Sequence, residues 1–137
     1  MESIEHENLV RLLDNIVREY FDTERLFKFI DIRSNLGKKH PPSIEGFIPD
    51  LVYQDLVGNF MIIGEAKTEK DIKTSHTRKQ VTAYLSQIFY QNEGVLFISV
   101  PVGCEANMKS ILHFLCSENN FDQVHYKVVS QISKRIE

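Results

Sequence analysis

Phe47-Ile48-Pro49-Asp50-Leu51-Val52-Tyr53-Gln54, the connection Asp55-Leu56-Val57-Gly58, and Asn59-Phe60-Met61-Ile62-Ile63-Gly64-Glu65-Ala66-Lys67 form the stretch that decides the fold. Two β-patterned runs flank a short connection ending in glycine. They read as a hairpin, with one strand over Phe47–Gln54 and the next over Asn59–Lys67. Side chains alternate along a strand. Glu65 and Lys67 therefore share a face while Ala66 takes the other, and Ile48, Asp50 and Val52 share a face on the preceding strand. A hairpin register that sets Asp50 beside Glu65, fifteen residues later, gathers two carboxylates and one ammonium at one point.

Upstream, Leu9, Leu12, Leu13, Ile16 and Tyr20 recur at helical spacing and predict a helix over Ile4–Phe21. Arg25–Ile32 reads as a strand, and the segment from Ser34 to Pro42 as a polar loop punctuated by Gly37 and the proline pair. Downstream, Asp71–Gln91 reads as a helix with Val81, Tyr84, Leu85 and Ile88 as its apolar stripe. Gly94–Val100 is a continuous apolar run that suits a strand buried on both faces, ended by Pro101 and Gly103. A helix over Glu105–Ser117 and a strand over Val124–Ser130 complete the order α-β-β-β-α-β-α-β, an α/β fold on a mixed sheet.

Adjacent carboxylates repel each other, and a hard divalent cation relieves that. Oxygen ligands suit Mg²⁺, with Mn²⁺ able to substitute. Such an ion lowers the pKa of water and polarises a phosphate, while a lysine such as Lys67 positions the attacking water and offsets charge developing on phosphate oxygens. Gln80 and Tyr84 lie four apart on one face of the next helix. Lys70, Lys73, His76, Arg78 and Lys79 cluster just before or within it, and around a groove they could meet successive phosphates.

Pro49-Asp50, Glu65-Ala66-Lys67 and Gln80-x-x-x-Tyr84 together resemble the PD-(D/E)XK nuclease superfamily, in its QxxxY-type branch, over roughly Glu5–Tyr84. The resemblance implies a restriction-endonuclease-like αβββαβ core with a mixed sheet flanked by helices. It implies Mg²⁺-dependent hydrolysis of DNA phosphodiester bonds, in repair, recombination, restriction or phage defence. The catalytic set it implies is Asp50, Glu65, Lys67, Gln80 and Tyr84, with Gln80 and Tyr84 bordering the metal and touching the scissile-strand backbone. The implied metal set is Asp50, Glu65, the main-chain carbonyl of Ala66, and an acid on the first helix. Glu2, Glu5 and Glu7 compete for that last place; helical phase favours Glu5, four residues before Leu9, and sends Glu7 to solvent. Lys70, Lys73, Arg78 and Lys79 are the expected nucleic-acid contacts. Selectivity would then need a homodimer, a partner subunit or recognition of DNA shape, because the chain has no evident separate recognition module.

Plainer readings stand beside these. Glu65 and Lys67 could form an exposed ion pair of little worth. Thr77-x-x-Gln80 fits a capping box, Tyr84 fits a core residue, and the lysine-rich turn fits a solvated face. A non-catalytic nucleic-acid-binding or assembly module with the same fold is the rival function. A different α/β enzyme with an accidental motif is a third reading, although no glycine-rich phosphate loop is present to support its nucleotide-binding versions.

Bulk properties agree with one domain over residues 1–137 and with no giant basic surface: the formal net charge is −3. No apolar run approaches the ~20 residues needed to span a bilayer. The first residues, Met1-Glu2-Ser3-Ile4-Glu5-His6-Glu7, are acidic and polar and do not read as a secretory signal. Cys104 and Cys116 have neither CxxC nor zinc spacing and read as inert apolar residues in a reduced, cytoplasmic setting. The five histidines show no metal spacing, and His113 reads as a core or edge residue of its helix.

Overall fold

The computed structural model describes residues 3–32, 40–91 and 93–131. Among them the chain runs α1 (Ile4–Tyr20), β1 (Phe27–Ile30), β2 (Leu51–Gln54), β3 (Phe60–Ala66), α2 (Ser75–Tyr90), β4 (Glu93–Ser99), α3 (Glu105–Glu118) and β5 (Tyr126–Val129), with a 3-10 turn at Glu69–Asp71. The strands lie in sequence order in one mixed sheet. β1, β2 and β3 pair antiparallel, and β3, β4 and β5 pair parallel. Most of the expected polar loop, and Glu2, lie outside the described residues.

Alternation along the strands divides the core in two. Leu51, Tyr53, Ile62, Ala66, Val95, Phe97 and Val129 face α1, while Val52, Met61, Ile63, Leu96, Ile98 and Val128 face α2 and α3. Gly64 lets α1 lie close on the sheet: a Cβ there would stand 2.7 Å from Leu13 Cδ2. The stripe on α2 is buried as expected, and that on α1 is too except for Tyr20, which is exposed.

Several expected boundaries are corrected, each for a local reason. The strand expected over Phe47–Gln54 begins only at Leu51. Asp31 N donates to Asp50 O at 2.8 Å, and Pro49 has no N–H to carry the ladder further. Phe47 instead closes a small hairpin on Ile44, so Ile48 and Asp50 precede the strand. The strand expected over Arg25–Ile32 shrinks to Phe27–Ile30, matching the four residues that β2 offers as partners. The helix expected from Asp71 starts at Ser75, because Thr74 is its N-cap and accepts from Thr77 N at 3.1 Å. The Asp71 carbonyl is drawn off by the hydroxyls of Thr74 (3.0 Å) and Thr77 (2.6 Å). His113 is exposed, one position out of phase with the buried Ile111, Leu112 and Leu115. Cys104 and Cys116 are both free thiols, the first buried. Among the described residues no helix is long and apolar enough to cross a membrane.

Candidate active site

β2 and β3 pair Leu51 with Gly64. One step further along that register Asp50 stands opposite Glu65. Asp50 N donates to Glu65 Oε1 at 3.3 Å, and Ala66 N donates to Asp50 Oδ2 at 2.8 Å. Each carboxylate thus accepts a main-chain N–H from the facing strand end, Glu65 from Asp50 and Asp50 from Ala66. Both are buried, Asp50 at 5% and Glu65 at 3% exposure. Burial first, and the facing Asp50 second, push the Glu65 carboxyl well above the usual carboxylate range, against the opposing pull of Lys67.

Lys67 leaves on the same side as Glu65. Its backbone N–H prolongs the parallel ladder, donating to Ser99 O at 2.9 Å. Its ammonium lies 3.4 Å from Glu65 Oε2 and donates to Gln80 Oε1, and Lys67 is only 7% exposed. Gln80 Nε2 in turn donates to the Tyr84 hydroxyl at 3.1 Å. Tyr84 is wholly inside, and burial, with the Glu65 carboxylate next, drives its phenol far above the ordinary value. The chain of contacts runs Asp50–Glu65–Lys67–Gln80–Tyr84, across a hairpin and a helix.

These contacts decide between several of the readings above. Glu65 and Lys67 are not an exposed pair. Thr77 is not the cap and Gln80 does not close a capping box, because Thr74 starts the helix; the side chain of Gln80 is free to reach Lys67.

The residue that comes to Asp50 from α1 is His6. Its Nε2 lies 3.1 Å from Asp50 Oδ2. Ser3 Oγ accepts from His6 N at 3.0 Å and caps the helix, which aims its first turn at the hairpin end. Glu5 is exposed and makes no hydrogen bond or ion pair with Asp50 or Glu65; Glu7 pairs with Arg11 at 3.3 Å. The sequence carried the signal for His6: it stands three and seven residues before Leu9 and Leu13, on the buried stripe.

Lys70, Lys73, Arg78 and Lys79 are all exposed. The first two flank the turn into α2 and the others lie on its outer side, with the Arg78 guanidinium 6.0 Å from the Phe114 ring centroid.

Among the described residues no three His, Cys, Asp or Glu side chains are arranged to hold an ion as they stand. The carboxylate oxygens are turned onto Asp50 N, Ala66 N, His6 and Lys67. The oxygen donors nevertheless fit a hard divalent cation: two buried carboxylates facing each other and the carbonyl of Ala66, which follows Glu65 in the chain. No family model matches the chain, and neither a curated protein nor a solved structure matches it.

Proposed function

We propose that this protein is a divalent-metal-dependent deoxyribonuclease with a PD-(D/E)XK, restriction-endonuclease-like core, hydrolysing DNA phosphodiester bonds. One observation carries the reading. Asp50 and Glu65, fifteen residues apart, oppose each other in a buried pair, and Lys67 enters the same hydrogen-bond network. An ion-pair network built for stability has no need of two mutually repelling carboxylates.

Asp50, Glu65 and the Ala66 carbonyl would hold Mg²⁺, with His6 against Asp50 in the place assigned by helical phase to Glu5. Bound there, the ion would supply Lewis-acid polarisation of a phosphate oxygen and a more acidic water. The chain's own residues do the rest. Lys67 carries a fixed positive charge beside Glu65 and would stabilise charge growing on the phosphate in the transition state. Gln80 holds that ammonium in place, and Tyr84 holds Gln80, so these two act as positioning residues. Lys70, Lys73, Arg78 and Lys79 would neutralise backbone phosphates without reading bases.

The second reading, a non-catalytic nucleic-acid-binding or assembly module, draws on the closed state of the network, in which Lys67 and main-chain N–H groups already occupy the carboxylates. Purified protein offered labelled duplex, single-stranded, flap and four-way DNA with Mg²⁺ separates the two. Cleavage lost in Asp50→Asn, together with weakened Mg²⁺ binding by calorimetry, is the expected result. Asparagine keeps an oxygen for Ala66 N, so the fold is spared an orphaned buried donor. Binding of DNA without cleavage by the wild type would favour the second reading. In either case a second copy of the chain is the partner proposed for symmetric DNA.

A further inference from the structure

Between the Ile44–Phe47 hairpin and α2 lies a groove of about 400 Å³ lined by Glu45, Phe47, Arg78, Lys79, Thr82 and Ala83. That volume falls within the ~300–1,000 Å³ typical of ligand sites. The groove is built rather than incidental. Ile44 and Phe47 exchange two main-chain hydrogen bonds, of 2.7 and 2.9 Å, across a two-residue turn. Both turn residues are left-handed, Glu45 at φ +50° and Gly46 at φ +87°, as a type I′ hairpin requires. A glutamate held there is strained relative to the asparagine or glycine usual at such positions. Ile44 is buried and anchors the hairpin. Phe47 is half-buried, and its ring meets that of His76 at 69°, with 5.6 Å between centroids.

The placement follows the chain. Phe47 precedes Asp50 by three residues, and Lys79 is the neighbour of Gln80. A strand whose phosphate lay at Asp50 and Lys67 would therefore pass this groove with an adjacent nucleotide. The chemistry of the groove is split. A phenyl ring and the Ala83 methyl offer an apolar wall, while Arg78 and Lys79 stand exposed at the rim. Glu45 brings a carboxylate, which repels a phosphate but accepts from the exocyclic amine of a base.

We propose that this groove receives one unstacked nucleobase of a single-stranded segment, its π-face against Phe47, with Arg78 and Lys79 on the flanking phosphates. A duplex keeps its base faces stacked and cannot present one to Phe47, so the substrate class is single-stranded DNA or a duplex with a splayed end. The inference deepens the nuclease reading and rests on it for the direction of the strand, while its binding test does not need cleavage.

The test measures affinity of the full chain, in chelator, for a short fluorescent single strand and for the matching blunt duplex. Phe47→Leu keeps apolar volume but removes the ring; Phe47→Tyr keeps the ring. Loss of a base–aromatic stack predicts roughly tenfold weaker single-strand binding by Phe47→Leu, with duplex affinity unchanged and Phe47→Tyr like wild type. Circular dichroism of each variant checks the fold. Equal affinity of wild type and Phe47→Leu for the single strand overturns the proposal, as does an equal loss on both substrates. An RNA strand that binds more tightly, with the ring dependence retained, supports the groove and assigns it to RNA. The two readings fail separately. Ring-dependent binding without Mg²⁺-dependent cleavage removes the nuclease and leaves the groove; cleavage with ring-independent binding does the reverse.

Discussion

Among the described residues acid side chains are buried in two places, on α1 and at the end of the β2–β3 hairpin, and the two are treated differently. Asp14 on α1 is 6% exposed. Its Oδ1 accepts from the Tyr53 hydroxyl at 2.6 Å, and its Oδ2 lies 2.7 Å from Lys28 Nζ and 3.5 Å from an Arg18 nitrogen. One carboxylate meets two cations and a phenol, and nothing is left to attract. At the other site two carboxylates meet one ammonium, with His6 adding charge only when protonated. Burial raises the Tyr53 phenol above its ordinary value first of all, and Asp14 adds to that, so the tyrosine keeps its proton and donates it to Asp14 in a hydrogen bond. At the hairpin end burial and repulsion fall on Glu65 itself. The first arrangement is complete as a structural device; the second sets two carboxylates against one ammonium.

The largest expected effect breaks the comparison at Lys67. Lys67→Ala should slow single-turnover cleavage at saturating enzyme by about 10²–10³-fold, the cost of removing one preorganised group from a developing charge. DNA affinity should be largely kept. Asp14→Asn should cleave at the wild-type rate in the same assay. Equal rates for Lys67→Ala and wild type would make the hairpin end as structural as Asp14.

Next in size is the response to metal. At about a hundred times its dissociation constant, a ligand bound only by the folded state stabilises by roughly 2.7 kcal/mol. Mg²⁺ should raise the unfolding temperature of wild type and of Asp14→Asn by the same amount, and that of Asp50→Asn little. A shift of equal size in Asp50→Asn would move the ion elsewhere.

Removing charge from the complete site should act on stability alone. Asp14→Asn gives up charge-assisted hydrogen bonds worth about 1.5–3 kcal/mol each in favourable settings. Lys28 and Arg18 are partly exposed and their share is screened. A loss of about 2 kcal/mol in urea unfolding, with an unchanged slope, is the expected outcome. No loss would mean that Tyr53 and Lys28 find other partners.

The two acid sites also differ in how legible they were. The hairpin end could be read because its parts are close in sequence and strand alternation is strict: Asp50, Glu65 and Lys67 needed only a register. Gln80 and Tyr84 needed only helical phase. Asp14 gave no such signal. It sits in an amphipathic helix beside Leu12 and Leu13, and its partners Lys28 and Tyr53 are brought to it by tertiary packing. His6 is an intermediate case. Helical phase favoured Glu5; His6 also stands in phase with Leu9 and Leu13, and choosing between neighbours required the position of the helix over the sheet. Element limits were misread where one residue decides them: Pro49 ends a ladder, and Thr74 caps α2, so the helix starts at Ser75 and not at Asp71.

The smallest effect sharpens the comparison most. The Glu65 carboxyl is raised above its ordinary 4.5 by burial first and by Asp50 second. The folded state therefore binds more protons than the unfolded state between 4.5 and the raised value. Stability from this group is greatest below the unfolded value and falls as pH rises through the folded one. Glu65→Gln keeps an oxygen for Asp50 N and removes the charge, at the cost of the carboxylate partner of Lys67. The metal-free variant should match or exceed wild type at neutral pH, by on the order of 1 kcal/mol or less. Its stability should also decline less from mildly acidic to mildly alkaline pH. Urea midpoints at both ends of that range, in chelator, measure this. A wild-type midpoint that does not fall across that range, or a Glu65→Gln midpoint that falls more steeply, would mean that Lys67 and His6 already neutralise the pair. The hairpin end would then be complete in the way Asp14 is, with no surplus charge to hold a cation.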